Sequence, residues 1–165
     1  MGRISHEKNL PYILKIFAKL PYKLIVVGKG PLLEPLRKVA PPNVIFTGFV
    51  DDETLKVLLY SARCFVISSE FETFSLAALE AMAHRVPVVA YAQGGYSEFI
   101  EHGRNGFTFK SLEEARRYIK QIFKSDELYE ELSENAYRTA LKYHPDRIIP
   151  IHIALYEKLA IPGPS

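Results

Sequence analysis

Short apolar runs alternate along this chain with longer segments whose apolar residues recur at helical spacing. The run Leu24 to Val27 is unbroken, as in a strand buried on both faces. The pattern predicts helices over Leu10–Leu20, Leu32–Val39, Asp52–Ser61, Leu76–His84, Tyr96–Glu101, Leu112–Phe123, Asp126–Lys142 and Pro150–Ala160, and strands over Lys23–Gly28, Asn43–Thr47, Cys64–Ser68, Val86–Tyr91 and Gly106–Phe109. Such alternation with short connections is typical of an α/β fold, a doubly wound parallel sheet covered by helices on both faces.

The amino terminus leaves no room for a strand before the first helix. In a doubly wound sheet the first strand is central, and later strands are added on both sides of it. We therefore expect residues 1–165 to form one domain whose central strand is missing or comes from elsewhere.

Composition excludes several functional classes. Apolar residues make up 48% of the 165 residues, but no apolar run is long enough to span a bilayer, so we expect a cytoplasmic protein. The net charge of +2 comes from scattered Lys and Arg residues, which gives no support to nucleic-acid binding. The single cysteine, Cys64, is interpreted as a buried small apolar residue, and the five histidines lie far apart. We expect no metal site and no cofactor.

Two glutamates, Glu72 and Glu80, flank a predicted strand-to-helix junction. Ser75 is a suitable N-cap for the helix that follows, and a helix start carries unpaired N–H groups and a partial positive charge. Such an end attracts phosphate. Glu80, one turn further on, is placed to accept hydrogen bonds from a ribose, so the arrangement suggests a nucleotide-sugar site.

An ordinary structural interpretation exists for both glutamates. Glu72 is equally consistent with an exposed loop charge, and Glu80 with a solvated helix residue. The residues around Glu80 are almost all apolar, however, and a helix apolar nearly all round is usually buried. We therefore expect Glu80 to be buried and to need a partner.

Glycines follow three of the predicted strands, at the edge where open parallel sheets bind ligands. They are Gly28 and Gly30, Gly48, and Gly94 with Gly95. A Gly-x-Gly pair alone is more typical of a tight turn than of a phosphate loop. Two cations, Arg3 and Lys8, come at the same edge; they suit a diphosphate, although taken by themselves they favour a solvated basic terminus.

In chain order these motifs resemble the donor-binding carboxyl-terminal domain of GT-B retaining glycosyltransferases, the family-four or group 1 glycosyl transferases. The resemblance covers nearly the whole chain and implies a Rossmann-like fold. It rests on Gly2-Arg3-x4-Lys8, Val27-Gly28-Lys29-Gly30-Pro31, Gly48-Phe49-Val50, Ser68 to Ser75, Leu79-Glu80-Ala81-Met82-Ala83, Pro87-Val88-Val89, Gly94-Gly95-x2-Glu98 and Gly103-x2-Gly106. The spacing of Glu72 and Glu80 is its most specific element.

The resemblance implies roles for the matched positions. Three residues would act in catalysis: Arg3 and Lys8 on the leaving diphosphate, and Glu72 on the transferred sugar. Glu80 would bind the ribose. The remaining donor-binding positions would be Gly28, Gly30, Gly48, Phe49, Val50, Phe74, Ser75, Leu76, Gly94 and Gly95, with backbone amides around Ser75 on phosphate and residues 48–50 beside the base.

The implied activity is transfer of a hexose-type sugar, with retention and without metal, from a UDP- or GDP-type donor to an unknown acceptor. We expect an amino-terminal acceptor-binding domain to be absent and the chain to be inactive alone, with that domain or a partner chain completing it. Peripheral membrane association of the full enzyme is compatible with the sequence. Two alternatives remain open: a non-catalytic nucleotide-sugar binding subunit of a split transferase, and a GT-B sugar-nucleotide epimerase.

Two positions depart from the family pattern. Ser75 replaces a common glycine, and its small side chain still caps a helix. Arg85 replaces another glycine, and a left-handed conformation there would cost on the order of 1 kcal/mol.

Overall fold

A computed structural model describes residues 1–69, 72, 74–93 and 95–159 of the chain. Its helices are α1 (Leu10–Phe17), α2 (Leu33–Val39), α3 (Asp52–Tyr60), α4 (Leu76–Ala83), α5 (Leu112–Lys124), α6 (Asp126–Lys142) and α7 (Pro145–Leu159), and its strands are β1 (Leu24–Val27), β2 (Val44–Gly48), β3 (Phe65–Ile67), β4 (Val88–Tyr91) and β5 (Gly106–Phe109). Short 3-10 helices cover His6–Lys8 and Gly95–Glu98. The predicted element order is thus confirmed.

Serine and aspartate caps fix where several helices begin. Asp51 accepts a hydrogen bond from the Thr54 N–H at 2.7 Å before α3, and Ser111 accepts one from Glu114 at 3.2 Å before α5. Ser125 does the same for Leu128 at 3.1 Å. These side chains satisfy N–H groups that have no partner inside the helix.

Several predicted boundaries were wrong; α1, for example, ends at Phe17 rather than Leu20. The last helix begins at Pro145, which suits the first position of a helix because its missing N–H is not needed there, and Pro150, the predicted start, lies inside the helix. The segment predicted as helix over Tyr96–Glu101 is a 3-10 helix over Gly95–Glu98.

All strand pairings among the described residues are parallel, and they form two separate half-sheets. β1 pairs with β2, with Leu24 opposite Val44. β4 lies between β3 and β5, with Val88 opposite both Phe65 and Gly106. β1 and β3 do not pair, so the sheet is interrupted at the position where the sequence predicts the missing central strand.

The core packs helices against both half-sheets. One cluster joins α1, α5 and the sheet through Ile16, Phe17, Ile119, Ile122 and Phe109. A second lies under α4 and contains Met82, Val88, Tyr96 and Phe99. The carboxyl ends of the strands therefore open at one common edge, where the candidate residues are placed.

Candidate functional site

Two neighbouring clefts open at the carboxyl edge of the half-sheets. The inner cavity has a volume of about 80 Å³ and the outer cleft about 470 Å³. They share Met1, Gly2, Arg3, Val27 and Ala77 in their walls. Arg3 is exposed and borders both, so one ligand could contact it from either side.

The inner cavity contains an ion pair between two predicted site residues. Lys8 Nζ lies 2.6 Å from Glu72 Oε2, and the side chains are 39% and 15% exposed. The sequence separates these residues by 64 positions, and the fold brings them together. A cation and a carboxylate therefore face the same small space.

Two serines at the end of β3 hold the backbone that carries Lys8. Ser68 Oγ donates to the Asn9 carbonyl at 2.8 Å and to the Lys8 carbonyl at 3.1 Å. Ser69 Oγ donates to the Glu7 carbonyl at 2.8 Å. These buried hydroxyls fix the 3-10 turn against β3 and so position Lys8 beside Glu72.

Helix α4 begins at the wall of the inner cavity. Ser75 caps it as predicted, because its Oγ accepts from the Ala78 N–H at 3.4 Å, and its carbonyl accepts from Ala78 and Leu79. Both Ser75 and Ala77 line the cavity. The positive end of the helix dipole thus adds to the charges of Arg3 and Lys8.

The outer cleft contains Glu80 opposite the loop after β2. Its wall includes Gly28, Lys29, Phe49, Val50 and Asp52. Phe49 is 74% exposed, so a broad apolar surface is available to a ligand there. The predicted positions Arg3, Gly28, Phe49, Val50 and Glu80 therefore meet in one cleft.

The prediction that α4 is buried nearly all round, Glu80 included, was wrong. Ala78, Leu79, Ala81 and Met82 are buried, but Glu80 is exposed and Leu76 is 73% exposed. Helix α4 packs on α6 and on strands β3 and β4 with one face only. The opposite face carries Leu76 and Glu80, which are four residues apart, and it is exposed.

The glycines after β1 allow two backbone segments to lie close together. A Cβ on Gly28 would lie 1.8 Å from the Gly2 carbonyl oxygen, and one on Gly30 would lie 2.2 Å from that of Ile4. Gly48 differs from both, because its surroundings are open and only its φ of +74° favours glycine there. Gly28 borders the outer cleft, whereas Gly30 and Gly48 line neither cleft.

Some predicted residues lie apart from the clefts. The Phe74 ring packs against Phe99 and Tyr143, with centroids 5.5 and 5.6 Å away, which turns its side chain into the core. Leu76 and Gly95 do not line either cleft, although the Gly95 N–H donates to the Glu72 carbonyl at 2.5 Å. Gly94 lies outside the described residues.

Several residues of the outer cleft were given no role from the sequence, among them Lys29, Asp52 and Ala77. Lys29 stands inside the quoted Gly28-Lys29-Gly30 motif, so its position was a usable signal. Asp52 was interpreted only as part of a helix cap, and its place in the cleft depends on how α3 packs.

Burial changes the acid–base behaviour of the Met1 amine, which borders both clefts, and of the Cys64 thiol, which borders neither. Desolvation, with a smaller contribution from Lys8, lowers the pKa of the Met1 amine to about 6, while Glu80 opposes the shift. Burial raises the pKa of the Cys64 thiol to about 12, in agreement with its interpretation as a structural apolar residue.

Among the described residues, no group of three or more His, Cys, Asp or Glu side chains could hold a metal ion. A search of the same part of the chain also finds no helix long and apolar enough to cross a membrane.

The fold and the site together define a class: a doubly wound α/β domain with a cationic, helix-capped cleft at the carboxyl edge of its sheet. Residues 1–139 match the family model described as glycosyl transferases group 1, and the chain belongs to this family. The resemblance inferred from the sequence is thereby confirmed.

Individual relatives support the assignment. The chain is 36% identical over 64% of its length to an uncharacterized glycosyltransferase of Methanocaldococcus jannaschii, and 32% identical over 87% to the sulfoquinovosyl transferase of Arabidopsis thaliana. These alignments cover 30% and 29% of the relatives, so the chain spans about a third of their length.

The fold is also found in solved structures. A variant of TarM from S. aureus, in a complex that contains UDP, superposes with a TM-score of 0.83 at 22% identity, covering 94% of this chain and 34% of TarM. The fold is therefore that of the carboxyl-terminal, Rossmann-like half of GT-B glycosyltransferases.

Proposed function

We propose that this chain is the donor-binding part of a retaining glycosyltransferase that transfers a hexose-type sugar from a nucleoside diphosphate. One observation carries the proposal: Arg3 and Lys8 meet the start of α4 in a cavity that adjoins the cleft of Glu80. Membership of the group 1 family supplies the reaction class.

The clefts suggest a pose for the donor. The diphosphate would lie between Arg3, Lys8 and the first N–H groups of α4, where two cations and a helix dipole converge. The ribose would reach the exposed carboxylate of Glu80. The base would then lie in the outer cleft against Phe49 and Val50.

The sugar would lie beside Glu72 in the inner cavity. Transfer breaks the bond between the anomeric carbon and the diphosphate and forms one to an acceptor oxygen, whose proton leaves with the diphosphate. Negative charge on the diphosphate increases as this bond breaks, so Arg3 and Lys8 would stabilise the transition state more than the ground state.

Lys8 is paired with Glu72 in the unliganded protein. A bound diphosphate would compete with Glu72 for this ammonium group. The positioning of Lys8 by Ser68 and Ser69 keeps it at the site while its partner changes.

Calorimetric titration with UDP-, GDP- and ADP-sugars and with the matching nucleosides tests the proposal. At least one nucleotide sugar should bind. Arg3→Gln should weaken its binding about tenfold, which corresponds to one charge-assisted hydrogen bond, and leave nucleoside binding unchanged. Failure of every donor to bind, or equal losses for nucleotide sugar and nucleoside, would contradict it.

Two further expectations belong to this proposal. Donor binding should be unchanged by a chelator, because Arg3, Lys8 and the first N–H groups of α4 would supply the positive charge beside the diphosphate. The 165-residue chain should transfer no sugar to an acceptor until an acceptor-binding domain is supplied; transfer by the purified chain alone would refute this.

A further inference from the structure

A shallow groove of about 830 Å³ follows the exposed side of α5 and shares no residue with the walls of the two clefts. Residues of α5 at helical spacing form its long side, and together they make one face of the helix. They are Glu113, Arg116, Arg117, Lys120, Gln121 and Lys124. This surface, called the α5 groove below, therefore carries four cations and one carboxylate from its helix.

Three of the four cations have no opposite charge beside them. Among the residues that the structure describes, no carboxylate forms a salt bridge with Arg117, Lys120 or Lys124. The one carboxylate, Glu113, pairs with Arg116 at 3.3 Å, and Arg116 also donates to two carbonyl groups of α1. The α5 groove thus keeps an uncompensated positive charge.

Stabilisation of α5 does not explain these cations. Lys124 lies in the last turn, where a cation interacts favourably with the helix dipole, but Arg117 and Lys120 lie before it. Arg116, Lys120 and Lys124 follow one another at intervals of four residues, and like charges at that spacing destabilise a helix slightly. A negatively charged ligand would turn this cost into a gain.

Arg117 is already held in place for such a ligand. Its guanidinium lies 4.9 Å from the centre of the Tyr118 ring, and its Nη2 donates to the Tyr118 hydroxyl at 3.1 Å. Tyr118 stacks in turn on Phe107, with ring centres 4.5 Å apart and planes at 3°. An ordered guanidinium loses less conformational freedom when it binds a carboxylate, which it can do through two hydrogen bonds.

The shape of the α5 groove favours a peptide over a membrane. Phe107 and Leu128 add an apolar part to its lining. A bilayer surface is too flat to contact residues inside a groove, and Glu131, exposed one turn after Leu128, would repel anionic lipid. A protein segment avoids both problems, because it can direct carboxylates to α5 and an apolar side chain inward.

We propose that the α5 groove binds an acidic segment of a partner protein. Its carboxylates would lie on Arg117, Lys120 and Lys124, and an apolar side chain between them would contact Phe107 and Leu128. The proposal concerns a surface apart from the clefts and does not depend on the proposed function.

The test uses a fluorescein-labelled peptide in which two leucines separate two runs of three glutamates. Its anisotropy is followed as the 165-residue chain is added. Binding should weaken as NaCl is raised from 50 to 300 mM, because the contacts are between exposed charges. No binding at 50 mM NaCl would overturn the proposal.

A pair of matched variants locates the binding surface. Lys120→Gln with Lys124→Gln should weaken binding about fivefold. Lys38→Gln with Lys142→Gln removes the same net charge from exposed positions on α2 and α6 and should leave binding unchanged. All four lysines are exposed, so both variants should keep the melting midpoint of the unmodified chain. Equal losses of binding would show that only net charge matters and would overturn the proposal.

A second peptide tests the apolar contact. With serine in place of both leucines, binding should be about fivefold weaker, and the Gly103 and Phe107 amide signals in NMR spectra should shift with the leucine peptide only. Equal affinity and equal shifts for the two peptides would contradict a site with an apolar part.

Two other occupants would give different results. Vesicles containing phosphatidylglycerol that bind through Lys120 and Lys124, while the peptide does not bind, would assign this surface to a membrane. A dimer of the unmodified chain that dissociates in the Lys120→Gln, Lys124→Gln variant, again without peptide binding, would assign it to a second copy. Either result would overturn the proposal.

Discussion

Arg85 illustrates how one residue can combine strain with compensation. Its φ is +63°, the left-handed conformation whose cost the sequence analysis considered for this position. Its guanidinium lies 4.3 Å from the centre of the Tyr137 ring and pairs with Glu134. These surface contacts offset part of the cost of the left-handed backbone.

Two substitutions at this position separate the energetic cost of the left-handed backbone from the contribution of the side-chain contacts. Arg85→Ala and Arg85→Gly lose the same contacts, but only alanine retains a Cβ that clashes at positive φ. We expect the glycine variant to be more stable than the alanine variant by about 1 kcal/mol in urea unfolding. Equal stability would contradict the strain.

Glu72 restrains the diphosphate site by neutralising Lys8. Glu72→Gln should therefore strengthen the binding of UDP without a sugar by about two- to fivefold, because the ammonium group no longer has to leave a carboxylate. Lys8→Gln should weaken it. Titration calorimetry measures both, and weaker UDP binding by the Glu72→Gln variant would contradict this electrostatic account.

At the scale of elements, two capped helices allow stability and binding to be separated. Ser75 and Ser111 accept equivalent hydrogen bonds before α4 and α5, so Ser→Ala at either position should cost about 1 kcal/mol in thermal or urea unfolding. Only Ser75→Ala should also weaken nucleotide binding, because only α4 begins in the inner cavity. Equal effects on binding from both variants would remove α4 from the site.

The loop after β1 depends on close backbone contact. Gly28→Ala would place a Cβ within 1.8 Å of the Gly2 carbonyl oxygen at a φ of +132°, and we expect a loss of about 3 kcal/mol or more. An alanine at position 48 would have no close neighbour, so only the positive φ would be unfavourable. We expect Gly48→Ala to lower the free energy of unfolding by about 1 kcal/mol. Urea unfolding distinguishes the two, and equal losses would show that the contact with Gly2 is unimportant.

At the scale of the molecule, local pattern predicted most of the fold. The parallel sheet covered by helices, and the expectation that its central strand is missing, follow from the alternation of apolar runs with helical segments and a single topological rule. The exposure of Glu80 did not follow, because it depends on which face of α4 contacts α6, a helix distant in the sequence. The sequence did not predict that Phe74 packs in the core either, because its partner Tyr143 is distant in the sequence.

The site was predictable where identity and spacing carry the chemistry. Arg3, Lys8, Glu72 and Glu80 do line the two clefts. The clamping of Lys8 by Ser68 and Ser69 was not predictable, because it is formed by side chain to backbone contacts across the sheet edge.

The most direct test of a donor site at this edge is calorimetric titration of the best-binding nucleoside diphosphate against the unmodified chain, Glu80→Ala and, as a surface control on α6, Glu130→Ala. We expect Glu80→Ala to lower the affinity about tenfold, as for loss of a hydrogen-bonded charge, and Glu130→Ala to leave it unchanged. Unchanged affinity in Glu80→Ala would contradict the assignment of the outer cleft to the nucleotide.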